Sequence, residues 1–191
     1  MMPTRIIARV AVALACAVMP QAVVAQAIPG QGAVRGELRF EGRGSLGAFV
    51  GRTSQLRGAL IGAATMDGVH GWVESDAKTL VTGNGRRDRD MWKSLEVERF
   101  PTVRFDLDAV APGAVDHDSV AVTLRGRFTI HGVVRESAVR GWVRVDATRV
   151  HFHGHAPLRL TDFGIGGLSK AFGLLKMDPD VIVRMELVFD G

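Results

Sequence analysis

The sequence predicts an all-β, antiparallel fold, and three observations carry that prediction. Apolar and polar residues alternate with a period of two along most of the chain, as half-buried strands require. Several of the alternating runs are joined by turns too short for parallel crossovers. The 23 glycines suit a chain with many turns or bent strands, and 47% hydrophobic residues are enough to build a sizeable core.

The clearest strand is 120–130. Val120, Val122, Leu124, Phe128 and Ile130 share one face with Gly126, while Thr123, Arg125, Arg127, Thr129 and His131 share the other. The last strand repeats this, with Val181, Val183, Met185, Leu187 and Phe189 opposing Arg184, Glu186 and Asp190. At 102–110, Val103, Phe105 and Leu107 oppose Arg104, Asp106 and Asp108; near the start Val34, Leu38 and Phe40 alternate with Arg35, Glu37 and Arg39. Segments 49–61, 66–75, 134–145 and 149–160 complete a set of eight, with turns at Asp67-Gly68 and His131-Gly132. Eight such strands make either a sandwich or a closed barrel, whose interior holds side chains or one slender ligand. Two segments break the pattern as short helices. Residues 86–95 follow Asn84-Gly85 and carry Asp88 as a cap; residues 168–177 place Leu168, Ala171, Phe172 and Leu175 at helical spacing before Asp178-Pro179.

The first residues form an appendage. Arg5 and Arg9 precede an apolar run from Val10 to Met19, and small residues follow at Val23, Ala25 and Ala27. This order describes a secretory signal peptide over 1–25, cleaved after Ala25 or Ala27, ahead of one β-domain over 30–191. The sole cysteine, Cys16, lies inside that segment, so the mature chain is expected to lack disulfides and thiolate chemistry. Ala13-Leu14-Ala15-Cys16 loosely matches a lipobox, which makes lipidation of Cys16 a minor alternative.

The formal charge is +4, of which Arg5 and Arg9 supply two, so the mature domain is nearly balanced. Its basic residues are spread singly along strands, which argues against nucleic-acid binding. No serine elbow, P-loop, dinucleotide fingerprint or zinc-protease helix occurs, so neither catalysis nor a cofactor is expected.

Three motifs then resemble one family in the right order. Thr82-Gly83-Asn84, Arg87-Asp88 and Phe100-Pro101-Thr102 with Phe105 resemble the central signature of the YceI-like family. Leu124 to Val133 resembles its strand and His-Gly-Val turn, and Thr161-Asp162-Phe163-Gly164-Ile165 precedes a closing strand as the family pattern does. The resemblance spans 34–189. It implies a lipocalin-like antiparallel eight-stranded barrel, export to the bacterial periplasm or exterior, and a polyisoprenoid or similar amphiphilic lipid in an elongated apolar pocket; members can also form homodimers. The sequence departs from the pattern where the family often has a histidine after the Arg-Asp pair, with Met91-Trp92 here.

The inward faces supply the expected lining: Leu38, Phe40, Phe105, Leu124 and Phe128 in the first part of the chain, then Phe152, Phe172, Val183 and Leu187. The simpler alternative is that these residues fill the barrel with no ligand. Arg86, Arg87, Asp88 and Asp90 read first as a turn, a cap and solvated charges, and second as a site where an arginine fork meets a pyrophosphate. The competing site is a metal one. His151, His153 and His155 alternate on one strand face, with neighbouring same-face positions about 6.6 Å apart, within reach of one transition-metal ion. Phe152 and Ala156 fit the inward set, so the histidines are expected outside.

Overall fold

The structure, a computed structural model, describes residues 34–62, 66–146, 149–166, 169–170 and 175–190. The segment read as a signal peptide, Cys16 and Phe172 lie outside the described residues. One antiparallel sheet dominates. Its strands are β1 (Val34–Gly44), β2 (Gly47–Thr53), β3 (Arg57–Ile61), β4 (His70–Asp76), β5 (Thr102–Asp116), β6 (Ser119–Ile130), β7 (Val133–Val145), β8 (Arg149–Arg159) and β11 (Asp180–Asp190). They run in the order β2-β1-β11-β8-β7-β6-β5-β4-β3, so that neighbours in sequence are mostly neighbours in space. The sheet curls into a half-barrel. Its two ends approach where Val34 Cγ1 of β1 lies 3.0 Å from the position a Cβ on Gly58 of β3 would take.

The main sheet has nine strands where eight are predicted, because segment 49–61 is two strands. The Thr53 hydroxyl accepts from the Gln55 N–H at 3.1 Å, and Leu56 N–H donates to the Ser54 carbonyl at 3.1 Å. These local bonds turn the chain, as threonine and serine do when they offer the backbone an alternative to ladder pairing. Segment 66–75 also starts later than predicted, since Met66–Gly68 is a 3-10 turn leading into β4.

One α-helix is present among the described residues, α1 (Gly85–Ser94). Its cap is Asn84 and not the predicted Asp88: the Asn84 side chain accepts from the N–H groups of Arg86 and Arg87, both at 3.1 Å. Asp88 is instead buried, and its carboxylate accepts from Thr82 N–H at 2.8 Å and Thr82 Oγ at 2.6 Å, tying the first turn to the chain before it. The predicted helix over 168–177 is corrected. Ser169–Lys170 (β9) pairs antiparallel with Leu175–Lys176 (β10), and Met177 then bridges to Gly44 at the end of β1. A helix of ten residues is marginal without tertiary support, whereas backbone pairing onto β1 continues through Asp178 N–H to the Arg43 carbonyl at 2.8 Å.

The core lies inside the curl. On β11, Val181, Val183, Met185, Leu187 and Phe189 are all buried, and the alternate positions face water. The outer face carries ion pairs, among them Arg57 with Glu74 and Asp76, and Arg104 with Glu74 and Asp106. The exposed pairs among them, such as Arg57 with Asp76, add little stability, so the inward layers hold the fold. The β6–β7 hairpin turns at His131 and Gly132 with φ of 53° and 71°, as a tight two-residue turn requires. Only glycine fits at 132, because a Cβ there would lie 2.4 Å from the Phe100 ring. Replacing Asp88 by Ala should lower the free energy of chemical unfolding by about 2–3 kcal/mol, since two Thr82 donors lose a charged acceptor; urea titration of the two proteins measures it.

Candidate functional site

The interior of the curl is not uniformly filled. At one end a cavity of about 650 Å³ opens between the β1–β2 hairpin, α1 and the inward faces of β5, β6, β8 and β11. Its walls are largely apolar, with Leu38, Phe40, Phe128, Ile130, Leu158 and Val183 among them. Leu80, Val103, Leu160, Ile165, Met177 and Val181 complete the apolar wall. The rim is mixed: Leu46 and Ser45 come from the hairpin tip, Asn84, Arg86, Arg87 and Asp90 from the start of α1. Leu46 is 86% exposed, so the cavity meets solvent there. At the other end a smaller void of about 60 Å³ lies among Phe105, Leu124, Phe152, Met185, Leu187 and Phe189.

Helix α1 faces the cavity with Arg87, Met91 and Leu95, four residues apart and therefore on one side. It is held by its cap, by the Asp88–Thr82 bonds and by Trp92, whose indole N–H donates to the Leu80 carbonyl at 3.1 Å. Met91-Trp92, the departure from the family pattern, thus divides its work: Met91 lines the cavity and Trp92 fixes the helix. The Arg87 guanidinium stacks 4.8 Å from the centroid of the Phe49 ring. Phe49 meets Phe40 edge-to-face at 6.2 Å, so an aromatic pair links the rim arginine to the wall.

Of the residues predicted to line a pocket, Leu38, Phe40, Phe128 and Val183 face the large cavity. Phe105, Leu124, Phe152 and Leu187 face the small void. The prediction treats them as one set because parity tells inside from outside and carries no information on height along the barrel. Ile130, Leu158 and Val181 could have been found by the same parity. Leu46 and Phe49 could not, since a hairpin tip has no periodicity to read.

The three histidines lie on the outer side. His151 is half-buried, His153 and His155 are exposed, and His151 Nε2 sits 3.0 Å from Asp146 Oδ2. His155 is paired across the sheet with Arg140 on one side and Arg184 on the other, two cations that oppose a bound metal ion. Among the described residues no three His, Cys, Asp or Glu side chains gather as a metal site. The displaced titrations also lie outside. Hydrogen bonding to Arg184 holds the Glu41 carboxyl below the usual carboxylate range, and Arg57 does the same for Asp76.

A curled antiparallel sheet with one apolar end cavity and a polar rim defines a lipocalin-like barrel with a built-in pocket. The chain belongs to the YceI-like family, whose domain model matches residues 32–189. Solved structures agree on the fold. Burkholderia cenocepacia BcnA is 15% identical with a TM-score of 0.67, over 80% of this chain and 94% of that one. A domain from Saccharophagus degradans, described as polyisoprenoid-binding and implicated in plant cell wall breakdown, is 17% identical with a TM-score of 0.65, over 84% of this chain and 99% of its own. A variant of the Campylobacter jejuni YceI protein is 14% identical with a TM-score of 0.58, over 74% and 84% respectively. No curated protein sequence matches the chain.

The Phe105 and Phe128 rings, between the two voids, depend on the glycine beside them. A Cβ on Gly126 would lie 2.8 Å from Phe105 Cζ and 2.1 Å from the Asp106 carbonyl oxygen. Gly126→Ala should therefore destabilise the protein by about 1–3 kcal/mol through overpacking, read as a lower midpoint in thermal unfolding; an unchanged midpoint would show that the layer gives way freely.

Proposed function

We propose that this chain is an exported, non-enzymatic carrier or sequestering protein for a polyisoprenoid or similar amphiphilic lipid. The tail lies in the large cavity and the head at the Asn84–Arg86–Arg87 rim. One observation carries this reading: a cavity of about 650 Å³ with apolar walls and a solvent-facing polar rim. That volume falls in the range of roughly 300–1,000 Å³ typical of small-molecule sites. A hydrocarbon tail gains about 25 cal/mol for each Å² of apolar surface it buries, and needs walls more than particular donors. The family membership and the polyisoprenoid-binding description of the Saccharophagus degradans domain support the ligand class. Export is supported by Arg5 and Arg9 before the short apolar run and by the small residues at Ala25 and Ala27.

The rim favours an anionic head group. Arg86 is exposed and Arg87 half-buried, and a guanidinium fork matches the oxygens of a phosphate or pyrophosphate. Titration with a fluorescent farnesol analogue and its phosphate tests both parts. The parent protein should bind both, the phosphate more tightly. Leu158→Trp, which fills the cavity from its wall, should weaken both by about tenfold or more by taking the apolar surface the tail would bury, with circular dichroism checking that the variant is folded. In the Arg86→Ala/Arg87→Ala double variant, the preference for the phosphate should fall about tenfold, as loss of one or two charge-assisted hydrogen bonds implies, while farnesol binding stays. Absence of binding to the parent sinks the lipid reading; an undiminished phosphate preference sinks the role of the arginines.

A further inference from the structure

The two voids are stacked along the same strand faces, and the residues between them are almost completely buried. On β11, Val183 borders the large cavity, and Met185 and Leu187 the small void. On β8, Leu158 borders the large cavity and Phe152 the small one, with Ala156 between them. On β6, Phe128 and Leu124 take the two sides and Gly126 stands between them. Ala156 and Val139 are 0% exposed, Met185 1% and Phe128 2%. Phe105 and Phe128 are direct partners across β5 and β6, with ring centroids 4.8 Å apart and planes at 47°. Phe105 occupies the space that a side chain at Gly126 would fill. Each void has one of the two rings in its wall: Phe128 in the large cavity, Phe105 in the small one.

We propose that the Phe105–Phe128 layer is a stop that sets the length of hydrocarbon chain the large cavity accepts, and that this stop separates the large cavity from the second apolar compartment behind it. This rests on the large cavity being a hydrocarbon site, and adds which residues measure the chain. A tail entering from the rim travels between apolar walls until it meets the Phe128 ring. Further isoprene units must then fold back or stay in water, so each stops adding affinity. The small void has apolar walls throughout and would favour a tail if one could reach it. Truncating Phe128 removes the barrier and leaves an apolar space, and such spaces stay dry and take up apolar ligands.

The test measures the affinity of the full-length mature protein for a series of prenyl alcohols, geraniol, farnesol, geranylgeraniol and longer polyprenols, by displacement of one fluorescent probe. For the parent, affinity should climb with each unit and then level off at one length. In Phe128→Ala the levelling should move to a longer prenol, with affinity for the first prenol beyond the parent's limit rising about tenfold, as added methylene burial implies. If circular dichroism shows that this variant does not fold, Phe128→Leu serves, with a smaller shift in the same direction. A parent that gains affinity without limit, or a folded variant whose limit stays in place, overturns the stop while leaving the lipid reading intact. A parent that binds none of the series overturns both.

Discussion

The contact between Phe105 and Phe128 is the constraint around which this barrel is organised. A sheet curled on itself must fill its interior, and two rings from paired strands do so here because Gly126 leaves room. Burying each ring contributes about 1.5–3 kcal/mol, and an edge-tilted aromatic pair adds to that. Met185, Ala156 and Val139, on neighbouring strands, are also inward and keep almost no exposed surface. A hollow cavity forfeits dispersion contacts along its whole lining. The open end is therefore affordable in physical terms only because this filled layer, and the residues beyond it, hold the strands in register.

The rim depends on that layer at one remove. The β1–β2 hairpin and α1 are not strands of the closed cross-section at this height, so each needs its own attachments. For α1 these are the Asn84 cap, the buried Asp88 carboxylate on Thr82 and the Trp92 indole on Leu80. For the hairpin they are the Met177 bridge to Gly44 and the Phe40–Phe49–Arg87 stack. The two sets meet at Arg87, which places a cation at the boundary between water and the apolar cavity.

Much of the fold was legible in the sequence. The inward faces of β6 and β11 follow from a period of two alone, and the hairpin at His131-Gly132 follows from its turn chemistry. The break after Thr53 was not legible, since a single hydroxyl accepting a backbone N–H decides it within an otherwise strand-like run. Around 169–176 the sequence points to a helix because Leu168, Ala171 and Leu175 repeat at helical spacing, while the deciding contact, Met177 with Gly44, joins residues distant in sequence. Asp88 resembles a cap for a similar reason: its acidic position near a helix start is local, and its burial against Thr82 is tertiary. For the site, parity identified inward residues but could not divide them between a cavity and a filled end. That division depends on how the Phe105 and Phe128 rings pack between the two voids.

Native mass spectrometry of the protein purified from the exported fraction of its own host tests the central claim most directly. The account predicts a chain shortened to begin after Ala25 or Ala27 and carrying one non-covalent adduct, a prenyl or comparable long-chain amphiphile released by organic solvent. A shortened chain that carries no apolar adduct, and takes up none when offered, would contradict it.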